Sequence, residues 1–372
     1  MTLENDLDQF RESSQLENPY LKHNLLSNPF PNVGEPPTEV LSNQKIVKDT
    51  FFKKIKEFGE DTANLTIRGV NGAGKTNILY YFDAFLKEAK KRKILPKILY
   101  SIYVVAQEDD YTHLHSEIIE KLIDATIGEL IEALNKKGLL ESLNDEEKHL
   151  GYILKNIQNM DLFSLFSEDR LYYFKKWLKG HKLSIVERRV LPAIKDDIAN
   201  STLAIKYLSA YINILVKAEL CDGIVILIDE LEHLFTNISK AKQSAYASDV
   251  RHLADTLFKN SLLVFAITPG NKNLGDYPAL VRRMGEEVEL QSIENSDEAK
   301  EYVEGYLGFG RKKYSLKSEE PLSKEQMCDI TPLSIEIINQ IFDEMSSNEI
   351  VIPGHFLPRI RAAMAEAVEP KE

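Results

Sequence analysis

The sequence predicts an α/β protein: a parallel sheet with helices on both faces, a long helical insertion and a helical C-terminal segment. Three observations lead there. Short strand-like runs at 64–68, 97–105, 223–229, 261–268 and 286–290, the one at 97–105 rich in β-branched and aromatic residues, are separated by stretches with helical spacing of apolar residues. Two of those runs, 224–228 and 262–267, are apolar without alternation, as strands buried on both faces are. Beyond residue 291 the strand pattern stops and only helical patterns remain.

Residues 1–43 read as an extended arm. Prolines at 19, 29, 31, 36 and 37 leave no room for a long helix. A helix is expected over 44–58, where Ile46, Val47, Phe51, Phe52 and Ile55 recur on one face. The strand at 64–68 runs into a glycine-rich loop, and Ile78, Leu79, Phe82, Phe85 and Leu86 then set a helix. After the strand at 97–105, residues 112–220 read as mostly helical. Ile118, Ile119, Leu122, Ile123 and Ile127 mark one segment, and 198–218 another. Past 291, Ser296 is expected to cap a helix whose first turn holds Asp297 and Glu298, with further helices at 332–346 and 357–368. The expected organisation is an arm (1–43), a core (44–290, with a helical insertion at about 108–220) and a helical lid (291–372).

Composition sets outer bounds. Of 372 residues, 43% are hydrophobic and 28% charged, which fits a water-soluble globular chain. The start, MTLENDLDQF, is acidic and lacks an apolar run, so no secretory leader is expected. The apolar runs are too short to span a bilayer. The two cysteines, Cys221 and Cys328, match no metal or redox spacing and read as reduced thiols in a cytoplasmic protein. A net charge of −12 argues against coating nucleic acid through the overall field, while leaving local basic patches open.

The most specific signal is Gly69-Val70-Asn71-Gly72-Ala73-Gly74-Lys75-Thr76, which fits G-x-x-x-x-G-K-[ST] at every fixed position. Glycines let the backbone curl so that successive N–H groups converge on one anion, and the helix that follows adds its positive end. Lys75 has the reach for the β- and γ-phosphates, and Thr76 carries a hydroxyl suited to Mg²⁺. Asn77 closes the loop. The loop residues Gly69 to Asn77 are therefore expected to bind ATP.

A second signal is GIVILIDELEHL at 223–234. Its apolar run ends in Asp229 and Glu230, at the carboxyl end of a buried strand, where ligands of open α/β sheets sit. Asp229 is expected to hold Mg²⁺ and Glu230 to polarise the attacking water. Two weaker signals read blandly. His113 and His115 are expected to be loop histidines without a third ligand. The run 172–177 (YYFKKW) reads as one helix with an aromatic core face and a basic solvent face.

With both motifs in place, the chain resembles the AAA+ ATPases, in particular their initiator-like and STAND-like branches. The resemblance covers roughly 45–370. It implies a parallel-sheet P-loop NTPase core, with Thr268, ending the strand LLVFAIT, as the sensor of the γ-phosphate. It also implies that Arg282 or Arg283, in YPALVRRMGEEVEL, acts in trans on a neighbouring subunit's nucleotide. In the C-terminal GHFLPRIRAAMAEAV it implies Arg359, with Arg361 as second choice, as the lid's nucleotide-contacting arginine. The Pro-rich arm is placed over the adenine by the same resemblance. The separation of Lys75 from Asp229 exceeds what a minimal core of this kind needs, and the excess is the helical insertion. Residues 130–240, with the step from Trp177 to Gly180, are similar to P-loop ATPases found with phage-defence and DNA-modification operons, the BREX-associated type among them.

Two functions follow as expectations. One is an oligomeric motor or switch that hydrolyses ATP with Mg²⁺ and acts on DNA-associated machinery, touching DNA directly or through a partner. The other is a nucleotide-gated module that holds a protein partner with little turnover.

Overall fold

The computed structural model describes residues 18–32, 40–59, 64–107, 111–134, 138–158, 167–236, 238–270, 272–317, 321–347 and 350–368. Residues 1–17 and 33–39 of the expected arm, including prolines 36 and 37, lie outside the described residues. The chain forms two compact units, one of residues 46–70 and 78–290, the other of residues 1–45, 71–77 and 291–372.

The larger unit is built on five parallel strands, β1 (Leu65–Arg68), β2 (Leu99–Val105), β3 (Gly223–Asp229), β4 (Ser261–Ile267) and β5 (Glu286–Glu289), in the order β2-β3-β4-β1-β5. Every residue of β3 and β4 is buried, as their unbroken apolar runs require. β5 lies at an edge and buries Val288 alone, while Glu286, Glu287 and Glu289 face solvent. Such charges keep an open edge from pairing with another chain. Lys54 on α1 (Lys45–Lys56) pairs with Glu286 at 3.0 Å, and Arg68 with Glu287 at 2.8 Å. α2 (Lys75–Arg92) follows the glycine loop, and its Phe82 stacks on Phe51 of α1 with ring centroids 3.7 Å apart.

The insertion holds α3 (Tyr111–Leu134), α4 (Asp145–Gln158), α5 (Ser167–Leu178), α6 (Ile185–Val190) and α7 (Ser201–Lys217). Leu122, Leu154, Trp177, Leu208 and Tyr211 form one core that continues to Ile226 of β3. The run at 172–177 follows its two expected faces only in part, since Tyr172 is exposed and Lys175 and Lys176 are half-buried. Phe174 and Trp177 are buried, while Lys175 pairs with Asp124 and Lys176 with Glu187. His113 and His115, expected in a loop, lie instead in the first turns of α3. Tyr111 and Leu114 supply apolar anchors there, so the helical face extends back past the histidines. After α7 and β3 come α8 (Lys240–Leu257), the single turns α9 (Lys272–Gly275) and α10 (Pro278–Val281), and then β5.

The other unit contains α11 (Ser296–Ser315), α12 (Lys324–Cys328), α13 (Ile335–Ser346) and α14 (Pro353–Val368) around Tyr302, Leu307, Ile338, Phe356, Ile360 and Met364. The described part of the arm packs into this core through Leu25 and Phe30, after a 3₁₀ turn at Pro19–His23. The cap of α11 is Asn295 and not Ser296. The extended backbone of Asn295 brings its side-chain oxygen to 2.9 Å from the Glu298 N–H, and Ser296 is already the first helical residue. Asp297 and Glu298 occupy the first turn as expected. Among the described residues no helix is long and apolar enough to cross a membrane.

Candidate functional site

The loop begins where β1 ends. The Gly69 N–H donates to the Ile267 carbonyl of β4 at 3.2 Å, which anchors the loop's first residue to the sheet. Residues 71–77 belong to the unit of the C-terminal helices. Gly72 and Gly74 have φ of 82° and 97°, a conformation that residues with a Cβ avoid. Among the described residues, the N–H groups of Gly72, Ala73 and Gly74 donate to no acceptor, although Ala73 is only 5% exposed. Backbone donors inside a fold are rarely left without a partner unless something else is to accept from them. A Cβ placed on Gly74 would meet nothing within 4 Å, so there is room beside the loop. Lys75 and Thr76 then open an 18-residue helix whose first N–H groups have no helical acceptor. Lys75 is buried, and Asn77 donates through its side chain to the Val40 carbonyl. These residues fit a bound polyphosphate.

The loop also meets α14. The Gly354 N–H donates to the Gly72 carbonyl at 2.9 Å, and Ile352 lies against Gly72. Arg359 on the same helix is 4.0 Å from Glu344 of α13, with its side chain 55% exposed. Arg361 donates to the Phe30 carbonyl. On α14, Gly354 meets the loop backbone.

In the larger unit, β3 ends with Asp229 buried and Glu230 in the left-handed conformation, φ 54° and ψ 36°. Asp229 accepts from the Tyr103 hydroxyl at 3.0 Å and from the Glu230 N–H at 3.0 Å. Burial, then the Asp229 charge, push the Tyr103 phenol well above its ordinary pKa, so it stays a donor. Asp229 and Thr76 are hard oxygen ligands of the kind Mg²⁺ takes. The Glu230 carboxylate, 43% exposed, lies 3.3 Å from His233 Nδ1.

Thr268 follows β4 directly. Its N–H donates to Glu232 at 3.0 Å and its hydroxyl donates to the same carboxylate oxygen. Glu232 is buried, on the 3₁₀ turn at Leu231–Phe235.

Arg282 and Arg283 separate clearly. Arg283 pairs with Asp255 of α8 at 2.9 Å. The Arg282 side chain is exposed and makes no hydrogen bond or ion pair among the described residues. Both line a cavity of about 440 Å³ with Asn64, Asp255 and Phe258. The backbone there is fixed by Gly285, where a Cβ would fall 1.8 Å from the Asn64 carbonyl oxygen.

Tyr103, Glu232 and Gly354 are site residues that the sequence reading passes over. Tyr103 was within reach: two positions before Val105, the register partner of Asp229, it shares that face of the sheet. Glu232 stood in the acidic string but with no visible target. Gly354 gave no local signal.

A glycine loop between a parallel strand and a long helix, with carboxylates at the end of another strand, defines an α/β P-loop NTPase core. The expected fold class is the one found. No protein-family model matches the chain, and no curated protein does. Among solved structures it is similar to the Orc1 protein of Aeropyrum pernix in complex with DNA, at 13% identity and a TM-score of 0.45. That match covers 90% of this chain and 63% of the Orc1 chain, so this chain spans less than two thirds of that protein's length. It is also similar to domain III of the Thermotoga maritima replication initiation protein DnaA, at 13% identity and a TM-score of 0.32, over 89% and 95% of the two chains. Likenesses this distant carry no weight for the function.

Proposed function

We propose that this protein binds ATP through residues 69–77 and hydrolyses it with Mg²⁺. The observation that carries the reading is the row of N–H groups at Gly72, Ala73 and Gly74, without acceptors among the described residues, leading into Lys75 and a helix N-terminus. A triphosphate supplies those acceptors and the negative charge that Lys75 answers. Mg²⁺, when bound, shields the phosphate charge. Thr76 and Asp229 are the residues proposed to hold it. Tyr103 keeps Asp229 oriented. Glu230 takes a proton from the attacking water. The Thr268 hydroxyl gives its proton to Glu232, which leaves its oxygen lone pairs to receive one from that water or its neighbours.

Arg282 is the proposed trans-acting arginine, since Arg283 is committed to Asp255 within its own chain. On that reading the protein works as a homo-oligomer, and turnover depends on assembly. Arg359 remains proposed as a nucleotide contact of the C-terminal helices. The setting is proposed to be cytoplasmic, on DNA-associated machinery, with phage defence suggested by the resemblance of residues 130–240. A second reading, a nucleotide-gated protein-binding module, draws support from the Glu230–His233 pair, which occupies the proposed base. ATP turnover by the purified protein, alone and with DNA, separates the two. Steady release of phosphate that disappears in Glu230→Gln supports hydrolysis. Tight ATP binding with no turnover under any condition supports the gate.

A further inference from the structure

α14 meets the loop through the backbone of Gly354. The Gly354 N–H donates to the Gly72 carbonyl at 2.9 Å. In a planar trans peptide the carbonyl and the N–H point in opposite directions. Holding the Gly72 carbonyl toward α14 therefore turns the Ala73 N–H away from α14. That N–H is one of the loop donors with no acceptor among the described residues.

The contact admits only glycine. A Cβ on Gly354 would fall 2.8 Å from both the Cα and the carbonyl oxygen of Gly72, which are backbone atoms that cannot swing aside. A Cβ on Gly72 would meet only the movable end of Ile352 at 3.1 Å, and it is the φ of 82° that calls for glycine there. Pro358, four residues on, has no N–H to give the Gly354 carbonyl, so the helical ladder lacks that bond. The first turn of α14 is thereby less bound to the rest of its helix and can follow the loop.

We infer that Gly354 is a positioning residue for the phosphate loop: its N–H sets the Gly72–Ala73 peptide so that the Ala73 N–H is presented to the polyphosphate. The inference rests on the nucleotide reading above and adds that the C-terminal helical unit controls phosphate affinity through one peptide plane.

The test is calorimetric titration of wild type and Gly354→Ala with Mg–ATP and, separately, with inorganic triphosphate. Gly354→Ala is expected to lose about tenfold or more in affinity for both ligands, the value of one strong hydrogen bond to a charged group. Opening the clashing contact should lower its melting temperature without ligand by a few degrees at most, so the titrations are made on folded protein. Loss for ATP with triphosphate binding intact would mean that α14 acts on the nucleoside, and would overturn the inference. Equal affinity of variant and wild type for both ligands would overturn it as well. A wild type that binds neither ligand overturns the nucleotide reading itself, and this inference with it. Should Gly354→Ala fail to fold, amide exchange on the wild type decides. The Gly354 N–H must be protected without nucleotide, and exchange at the rate of a free amide refutes the inference.

Discussion

One carboxylate oxygen of Glu232 receives both the backbone N–H and the hydroxyl of Thr268, and the other oxygen, although buried, has no hydrogen-bond partner among the described residues. A buried carboxylate left half satisfied costs stability, and sites that tolerate such a cost are often functional. Here it joins the turn after β3 to the end of β4, so the residue proposed to sense the γ-phosphate is tied to the segment that carries Glu230. Glu232→Ala removes the acceptor of two donors. We expect ATP turnover to fall about 10- to 100-fold, with ATP affinity within a few-fold of wild type, and stability to drop by about 1–3 kcal/mol. Glu232→Gln keeps an acceptor and should retain most of the turnover. Turnover and urea unfolding measured on the same preparations check this. An ATP affinity loss as large as the turnover loss would contradict it.

Tyr103 anchors the other carboxylate. Tyr103→Phe removes the hydroxyl that donates to Asp229 and leaves the ring packed on Tyr80, whose centroid is 4.7 Å away. One charge-assisted hydrogen bond to a carboxylate is lost, worth about 1.5–3 kcal/mol. The Mg²⁺ concentration giving half-maximal ATPase activity should rise several-fold, with ATP affinity in the absence of metal unchanged. A Mg²⁺ titration of both proteins measures it.

Much of this was legible in the sequence, and the limits have physical reasons. All five strands lie within about two residues of their expected bounds, β3 and β4 because strands buried on both faces write unbroken apolar runs. The loop was legible because its chemistry is local: glycines, lysine and threonine at fixed spacing. Contacts made across long sequence separations were not. Nothing near Gly72 announces Gly354, and nothing near Thr268 singles out Glu232 over its acidic neighbours. The Asn295 cap was missed because Asn and Ser stand side by side and only backbone conformation tells which is outside the helix. The choice between Arg282 and Arg283 needed the position of Asp255 on α8.

That choice gives a prediction. Arg282→Ala should bind ATP as wild type does and lose turnover by about 10³-fold or more, the worth of a trans-acting arginine. Arg283→Ala breaks a half-exposed ion pair and should cost at most about 1 kcal/mol of stability, with turnover largely kept. Mixing Arg282→Ala with Glu230→Gln should restore part of the activity if the arginine acts on a neighbour. No recovery in the mixture, with both variants assembled, would place Arg282 outside the reaction.

His115 sets a pH limit on the insertion. It is buried in α3 with Nε2 3.2 Å from the Leu178 carbonyl, so Nε2 carries the proton, and Nδ1 has no hydrogen-bond partner among the described residues. Burial lowers its pKa from 6.5 to about 4. The unfolded chain therefore binds a proton between those values that the folded chain does not, and stability is lost as pH falls from about 6.5 toward 4. Up to roughly 3 kcal/mol is at stake in that window. Urea midpoints at pH 7.5 and pH 5 check this, and His115→Gln, which keeps a donor for the Leu178 carbonyl without titrating, should flatten the difference.

Every step proposed for this protein requires the loop to grip a triphosphate. Calorimetric titration of Mg–ATP into wild type and Lys75→Ala tests that most directly. Wild type should bind one ATP per chain, and Lys75→Ala should bind about 10- to 100-fold more weakly, since a charge-assisted contact is removed while the N–H groups remain. A wild type that takes up no ATP, or a Lys75→Ala protein that binds as tightly as wild type, would contradict the account.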